Sequence, residues 1–165
     1  MDGTIHYNIG CRRVVILTRL VRKILFALVL EDAVIREENA YRFYESAQDK
    51  AGGPEAKQLL KKLCAEELRH RLKLEQLQRR GESEEIAFSR PQEIELLEAE
   101  QSWSGLPEQA TTRDILKLAL IKERQAVRYY QLIAGRSALR SVRDLFVFLA
   151  GEESQHTRWV EKMLA

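Results

Sequence analysis

Apolar residues recur along most of this chain at spacings of three and four, the period of an amphipathic helix, and four long segments carry the pattern. The first runs from about Leu30 to Ala51, with Ala33, Val34, Glu37, Ala40, Tyr41, Tyr44 and Ala47 on one stripe. Gly52-Gly53-Pro54 ends it and turns the chain. The second runs from about Pro54 to Arg80, with Pro54 in the first turn, where a missing N–H costs nothing. Its stripe is Ala56, Leu59, Leu60, Leu63, Glu67, His70, Leu74 and Leu77, and Gly81 is its stop. The third starts near Thr111 or Thr112, either of which can cap it, and runs to about Ala134, with Gly135 as its end. The fourth runs from about Ala138 to Leu164. Residues 81–111 between the second and third hold a short helical pattern at Gln92–Ala99 and a break at Ser104-Gly105-Leu106-Pro107. A short turn would set the third helix antiparallel beside the second, whereas a connection of about 30 residues can cross a whole bundle. The pattern predicts an all-α fold: residues 30–165 form a four-helix bundle of two helix hairpins joined by a long crossover.

The polar residues that fall on these stripes change the picture. Glu37 and Glu123 are 86 positions apart, and so are Glu67 and Glu153, and His70 and His156. Each half reads as one Glu on its first helix and Glu-x-x-His on its second. The match extends to Ala33/Ala119, Ile35/Ile121, Ala40/Ala126, Arg42/Arg128, Tyr44/Tyr130, Leu63/Leu149 and Glu66/Glu152. In Glu67-Leu68-Arg69-His70 and Glu153-Ser154-Gln155-His156 the ligand types lie one helical turn apart and leave the same face. A Glu on an apolar stripe is expensive to bury unless it is paired or metal-bound. Four of them with two His, in register, call for compensating positive charge, and two divalent or trivalent cations supply it. Mixed carboxylate and imidazole ligation without thiolates suits iron or manganese, and zinc also accepts it. The competing reading is a metal-free bundle whose Glu and His face solvent, and the position of all six on the stripes speaks against it. Glu66 and Glu152 sit about 100° round the helix from the ligand positions and read as solvated or supporting groups. Cys64, one turn before Glu67, reads as a core residue whose counterpart is Ala150. Trp103 and Trp159 read as packing residues outside the ligand pattern, and His6 as a residue of the lead segment without a partner.

Residues 1–29 break the pattern. Two apolar runs, Val14–Leu17 and Ile24–Leu30, are separated by Arg19, Arg22 and Lys23, and residues 1–30 carry a net charge of +4 against −2 for the remainder. The longest apolar run has seven residues and no A-x-A-like site follows, which argues against a secretory signal. A basic amphipathic helix on a membrane surface is one reading. An extra helix or frayed lead-in packed on the bundle is the better one, and a translation start set too far upstream is a third. No run approaches about 20 uninterrupted apolar residues, so no membrane span is expected. No basic stripe marks the bundle as a nucleic-acid binder. The two cysteines, Cys11 and Cys64, make no C-x-x-C pair, so a cytoplasmic, reducing setting is expected and a thiolate iron or zinc site is not.

The motifs Glu37-Glu38-Asn39-Ala40-Tyr41-Arg42-Phe43-Tyr44 and Ala65-Glu66-Glu67-Leu68-Arg69-His70 resemble those of the rubrerythrin branch of the ferritin-like diiron-carboxylate family. So do their partners, Glu123-Arg124-Gln125-Ala126-Val127-Arg128-Tyr129-Tyr130 and Gly151-Glu152-Glu153-Ser154-Gln155-His156. One E-x-x-H is a weak signal; two in register, each preceded by E-x-x-A-x-x-(F/Y)-Y, are a strong one. The resemblance covers roughly residues 30–164. It implies that Glu37, Glu67, Glu123 and Glu153 are carboxylate ligands, two of them bridging, with His70 and His156 terminal, around two iron ions for which manganese or zinc can substitute. It also implies that Tyr44 and Tyr130 hydrogen-bond ligating carboxylates; the alternative is that both simply fill the core. Two departures stand out. Rubrerythrins carry an extra Glu three residues after the first Glu of their third helix, where this chain has Ala126, which bears on peroxidase activity more than on metal binding. They also carry a rubredoxin-like domain, and this chain has none, so electrons are expected from a separate rubredoxin-type donor.

The leading expectation is therefore an oxidoreductase that reduces peroxide or dioxygen at a Glu4His2 diiron site. The alternatives are iron storage or sequestration without turnover, and a scaffold whose metal is structural. A homodimer is expected, since residues 81–111 are long enough to exchange helix pairs between protomers.

Overall fold

A computed structural model describes residues 9–82, 84, 86 and 106–165, with side chains from residue 18 onward. Four helices account for the described core: α1 (Ile9–Lys50), α2 (Pro54–Arg79), α3 (Thr112–Arg136) and α4 (Arg140–Leu164). The bundle, its two hairpins and its all-helical class are as the apolar spacing predicts. The pattern at Gln92–Ala99, Trp103 and His6 lie outside the described residues.

Local chemistry sets the turns. After α1, Gly53 takes a φ of 84°, a left-handed conformation that glycine adopts without steric cost, and Pro54 then opens α2. Gly81, with a φ of 64°, follows the end of α2 in the same way. Of the two candidate caps for α3, Thr111 holds the position. Its Oγ1 accepts from the Asp114 N–H at 3.2 Å and the Asp114 carboxylate accepts from the Thr111 N–H at 3.1 Å, a capping box. Thr112 Oγ1 instead accepts from the Gly52 N–H at 2.7 Å, tying the start of α3 to the α1–α2 turn.

That tie fixes the crossover. The far end of the 81–111 connection reaches the α1–α2 turn, where Lys50 Nζ donates to the Leu106 and Pro107 carbonyls at 3.4 Å. Its near end lies at the opposite pole: Glu84, 3% exposed, accepts from the backbone N–H groups of Ala138 and, at 2.8 Å, Leu139. The carboxylate thus satisfies donors at the start of α4 and sits where the helix dipole favours it. The described ends of the connection therefore lie at opposite poles of the bundle, leaving α1 antiparallel to α3 across one seam and α2 antiparallel to α4 across the other.

Two expectations are corrected. The first helix does not begin near Leu30; α1 runs unbroken from Ile9 and crosses the 29/30 boundary without a break. Its 42 residues span about 63 Å against about 38 Å for a 25-residue helix. Phe26, Val29 and Leu30 are buried in the core beside Tyr129 and Ile133, and the Tyr129 hydroxyl donates to the Val29 carbonyl at 2.9 Å. Upstream, Leu20, Val21, Ile24 and Leu28 are exposed. Gly135 does not end α3 but lies in its last turn; the helix stops at Arg136, and Ser137, whose hydroxyl bonds the Ile133 carbonyl at 2.8 Å, closes it.

The core forms two clusters. One gathers Phe26, Leu74, Tyr130, Phe146 and Leu149, and the other Phe43, Tyr44, Leu60, Leu63 and Ile115. The acidic and imidazole residues of the repeat lie with Tyr44 and Tyr130 where these two apolar clusters meet.

Candidate metal centre

Each helix brings its share of the site because helical periodicity puts those positions on the buried stripe. α1 supplies Glu37, α3 Glu123, α2 Glu67 and His70, and α4 Glu153 and His156. All six are only 1–2% exposed. They assemble into two overlapping quartets, Glu37-Glu67-His70-Glu153 and Glu67-Glu123-Glu153-His156, and within each quartet one ligand-type atom per residue lies within 4.8 Å of the others. Glu67 and Glu153 belong to both. His70 Nδ1 is 2.9 Å from Glu153, 3.6 Å from Glu37 and 3.9 Å from Glu67. His156 Nδ1 is 3.2 Å from Glu153, 3.3 Å from Glu123 and 3.4 Å from Glu67. The two imidazoles stack with ring centroids 5.4 Å apart.

This cluster is electrostatically expensive. Burial, then the neighbouring carboxylates, pushes Glu67 well above the ordinary range. Burial and the Glu153 charge push Glu123 up to about 8. Burial works against Glu153 too, but the facing His156 and His70 imidazoles and the Glu123 carboxyl outweigh it and hold that carboxyl below its usual range. Burial opposes charge on His70, yet its bonds to Glu153 and Glu37 raise it to about 9, and His156 is raised in the same way by Glu123, Glu153 and Glu67. Protons thus do in part what cations would do. They do it incompletely. Glu37 Oε2, Glu67 Oε1, Glu123 Oε2, Glu153 Oε1 and both His70 nitrogens are buried, and none makes a well-aligned hydrogen bond; the four oxygens meet the imidazole Nδ1 atoms only as close charged contacts. Such atoms carry a desolvation penalty of about 1–3 kcal/mol each. Orphaned, convergent oxygen and nitrogen atoms of this kind fit metal ions, and the hard carboxylate-rich set fits iron, manganese or zinc.

The tyrosines act across the bundle. The Tyr44 hydroxyl of α1 donates to Glu123 of α3, and the Tyr130 hydroxyl of α3 donates to Glu37 of α1. The 86-residue offset that relates the two carboxylates relates the two tyrosines as well. Burial and the adjacent carboxylates push both phenols well above their usual range, so they remain neutral donors. Glu66 and Glu152, alike in sequence, differ in place: Glu66 is 8% exposed, pairs with Arg69 and lies within reach of both imidazoles, whereas Glu152 is half-buried. Cys64 packs in the core, its Sγ 3.7 Å from the Tyr41 carbonyl oxygen. Trp159 packs nearer the site than its place outside the ligand pattern suggested, with its ring 5.3 Å from that of His156 and Lys62 Nζ 3.4 Å from its centroid.

On the α1–α3 side a cavity of about 20 Å³ borders the four carboxylates and is lined by Ala40 and Ala126. Arg36 and Lys122 also line it. Neither is a metal-ligand type, and the 86-residue offset relates them as it relates the ligand types.

The rubrerythrin family model matches residues 28–109 and 114–165. None of the curated proteins compared matches the sequence. Among solved structures, the chain is similar to a dodecameric thioferritin, the bacterioferritin-related protein of Bacteroides fragilis, with a TM-score of 0.67 and 17% identity over 92% of each chain. A conserved hypothetical protein from Mycobacterium tuberculosis gives 0.62 and 14% identity over 84% of this chain and 89% of that one. A two-domain protein of Anabaena variabilis with DJ-1/ThiJ/PfpI-like and ferritin-like domains gives 0.65 and 16% identity over 82% of this chain, which spans 38% of that protein. At these identities the structural likeness establishes the ferritin-like fold.

Proposed function

This chain belongs to the rubrerythrin family, and we propose that its bundle holds two iron ions and reduces peroxide or dioxygen with electrons from a separate donor. The observation that supports two ions is that two buried ligand quartets overlap in Glu67 and Glu153. In this reading Glu67 and Glu153 would serve both ions, Glu37 and His70 would help hold one, and Glu123 and His156 would help hold the other. Two iron ions, when bound, supply the electron pair that, with two protons, cleaves the O–O bond of hydrogen peroxide to two waters. The chain supplies the rest. The orphaned oxygens of the four carboxylates turn toward cations. Tyr44 and Tyr130 each retain their phenolic proton and donate it in a hydrogen bond to one carboxylate oxygen, which leaves the other oxygen of Glu123 and Glu37 for ligation. The surrounding apolar clusters exclude bulk water, which strengthens these interactions.

A second reading, iron storage or sequestration without turnover, draws on Ala126, which leaves four carboxylates rather than five around the site, and on the thioferritin likeness. Repeated peroxide consumption with a supplied donor supports the enzyme; stoichiometric oxidation that stalls supports storage. Among the described residues no helix is long and apolar enough to cross a membrane. A cytoplasmic homodimer served by a rubredoxin-type donor completes the proposal.

Metal analysis of protein produced with iron is the first test. Two ions per chain are expected, with losses in Glu67→Ala and His156→Ala. Fewer than about one ion per chain, unchanged by either substitution, would falsify the dinuclear reading.

A further inference from the structure

The α1–α3 seam is built differently from the hairpin interfaces. α1 and α3 pack less closely than α1 with α2 or α3 with α4, and long side chains bridge the gap. The Arg36 guanidinium carbon of α1 lies 4.1 Å from the ring centroid of Tyr129 on α3. Lys122 Nζ of α3 lies 5.7 Å from the ring centroid of Phe43 on α1. Arg36 and Lys122 are 86 residues apart, and so are Phe43 and Tyr129. Each cation therefore reaches across the seam to the other half's aromatic ring, a twofold pair of cation–π contacts.

Ala40 and Ala126 sit between these clamps, also 86 residues apart, and both are half-buried. Their short side chains leave the cavity of about 20 Å³ that borders the carboxylates, room for about one water-sized molecule. Asp32 bonds Arg36 Nε at 2.7 Å and holds its guanidinium in place, and Lys122 is half-buried. Around the cavity four carboxylates face Lys122 and Arg36, and Asp32 balances the charge of Arg36. With the four carboxylates ionised, two divalent ions would balance them and leave the Lys122 charge in excess, in a setting where solvent screens little.

We propose that this seam is the port by which a small monovalent anion reaches the metal-loaded site, and that Arg36 and Lys122 set its preference for anions while Ala40 and Ala126 set its width. The inference rests on the dinuclear iron reading given above. It assigns two specificity-determining cations to that site and a size limit of a few heavy atoms to whatever enters it.

Azide, a linear triatomic anion, is the probe, followed by its absorption band on the iron-loaded protein with iron content measured alongside. Wild type is expected to bind azide. Lys122→Gln is expected to weaken binding about fivefold and Lys122→Glu about thirtyfold, each with two ions per chain retained. Lys57→Gln, exposed on α2 and outside the seam, serves as the control and should leave azide affinity unchanged. Ala126→Leu narrows the port and is expected to slow azide association at least about tenfold at unchanged iron content. Equal azide affinity in wild type, Lys122→Gln and Lys122→Glu overturns the port while leaving the metal site standing. Absence of bound iron in wild type overturns both. If Ala126→Leu loses iron or fails to fold, the Lys122 series still decides.

Discussion

The two hairpins carry the same ligand set and differ almost everywhere else. α1 has 42 residues and α3 has 25. Glu66 is buried beside the imidazoles and Glu152 is half-buried; Cys64 faces Ala150 in the repeat. On the inner face the correspondence is strict. Glu37/Glu123, Glu67/Glu153, His70/His156, Tyr44/Tyr130 and Ala40/Ala126 hold the same roles, and each tyrosine serves the other half's carboxylate. The repeat is thus kept at every ligand-type position and its tyrosine partner, while elsewhere it is mixed, kept at exposed Ile35/Ile121 and lost at buried Cys64/Ala150. The difference identifies the site, rather than the hairpin, as the unit that the symmetry describes.

The largest expected effect breaks that symmetry at its centre. Glu67 and Glu153 belong to both quartets, whereas Glu37 and Glu123 each belong to one. Glu67→Leu is therefore expected to abolish binding of both ions, and Glu37→Leu to remove one, measured as metal per chain. Equal metal loss in the two variants would show that the carboxylates are not shared.

A smaller effect sharpens the cross-bundle relation. Tyr44→Phe removes the donor to Glu123, and Tyr130→Phe the donor to Glu37. Each is expected to weaken one of the two metal sites about 10–100-fold and leave the other near wild type. Sequential titration with a divalent metal reads this directly. If the tyrosines only fill the core, the hydroxyl deletions will leave both affinities unchanged.

Much of this arrangement was legible in the sequence, for stated reasons. Helical spacing gave the hairpins because every bundle helix buries one stripe, and the fixed offset gave the six candidate ligands because charged residues on such a stripe need a partner. What was not legible depends on neighbours distant in the chain. The spacing places the start of α1 too late because Arg19, Arg22 and Lys23 interrupt its apolar run; the helix continues, and Phe26 and Val29 find their partners in α3. Gly135 reads as a stop, yet the helix holds one residue further because its last turn is closed by Ser137. Arg36 and Lys122 differ in type and are not ligand types, so a search for identical ligands does not pair them. Which half each tyrosine serves requires the fold.

The smallest effects compare how the two second-half helices begin. α4 starts at Leu139, whose side chain makes no cap, and its N–H groups are met by Glu84 from the crossover. α3 is capped locally by Thr111 and Asp114. Glu84→Ala removes the acceptor of the part-buried Ala138 and Leu139 N–H groups and is expected to cost about 0.5–1.5 kcal/mol, while Thr111→Ala is expected to cost about 1 kcal/mol, both read from denaturant midpoints. The local cap also carries a pH signature. The Thr111 hydroxyl, and then its backbone N–H, hold the Asp114 carboxyl below its usual range. A depressed folded value means that the stabilisation is complete above the unfolded pKa of about 3.9 and is lost as pH falls through the lower folded value. Since that stabilisation comes chiefly from the Thr111 hydroxyl, the stability gap between wild type and Thr111→Ala should be full at neutral pH and narrow only in acid. A gap that stays constant down to the acid unfolding transition would mean that Asp114 does not answer Thr111 and that the α3 start is held by the Thr112–Gly52 tie alone.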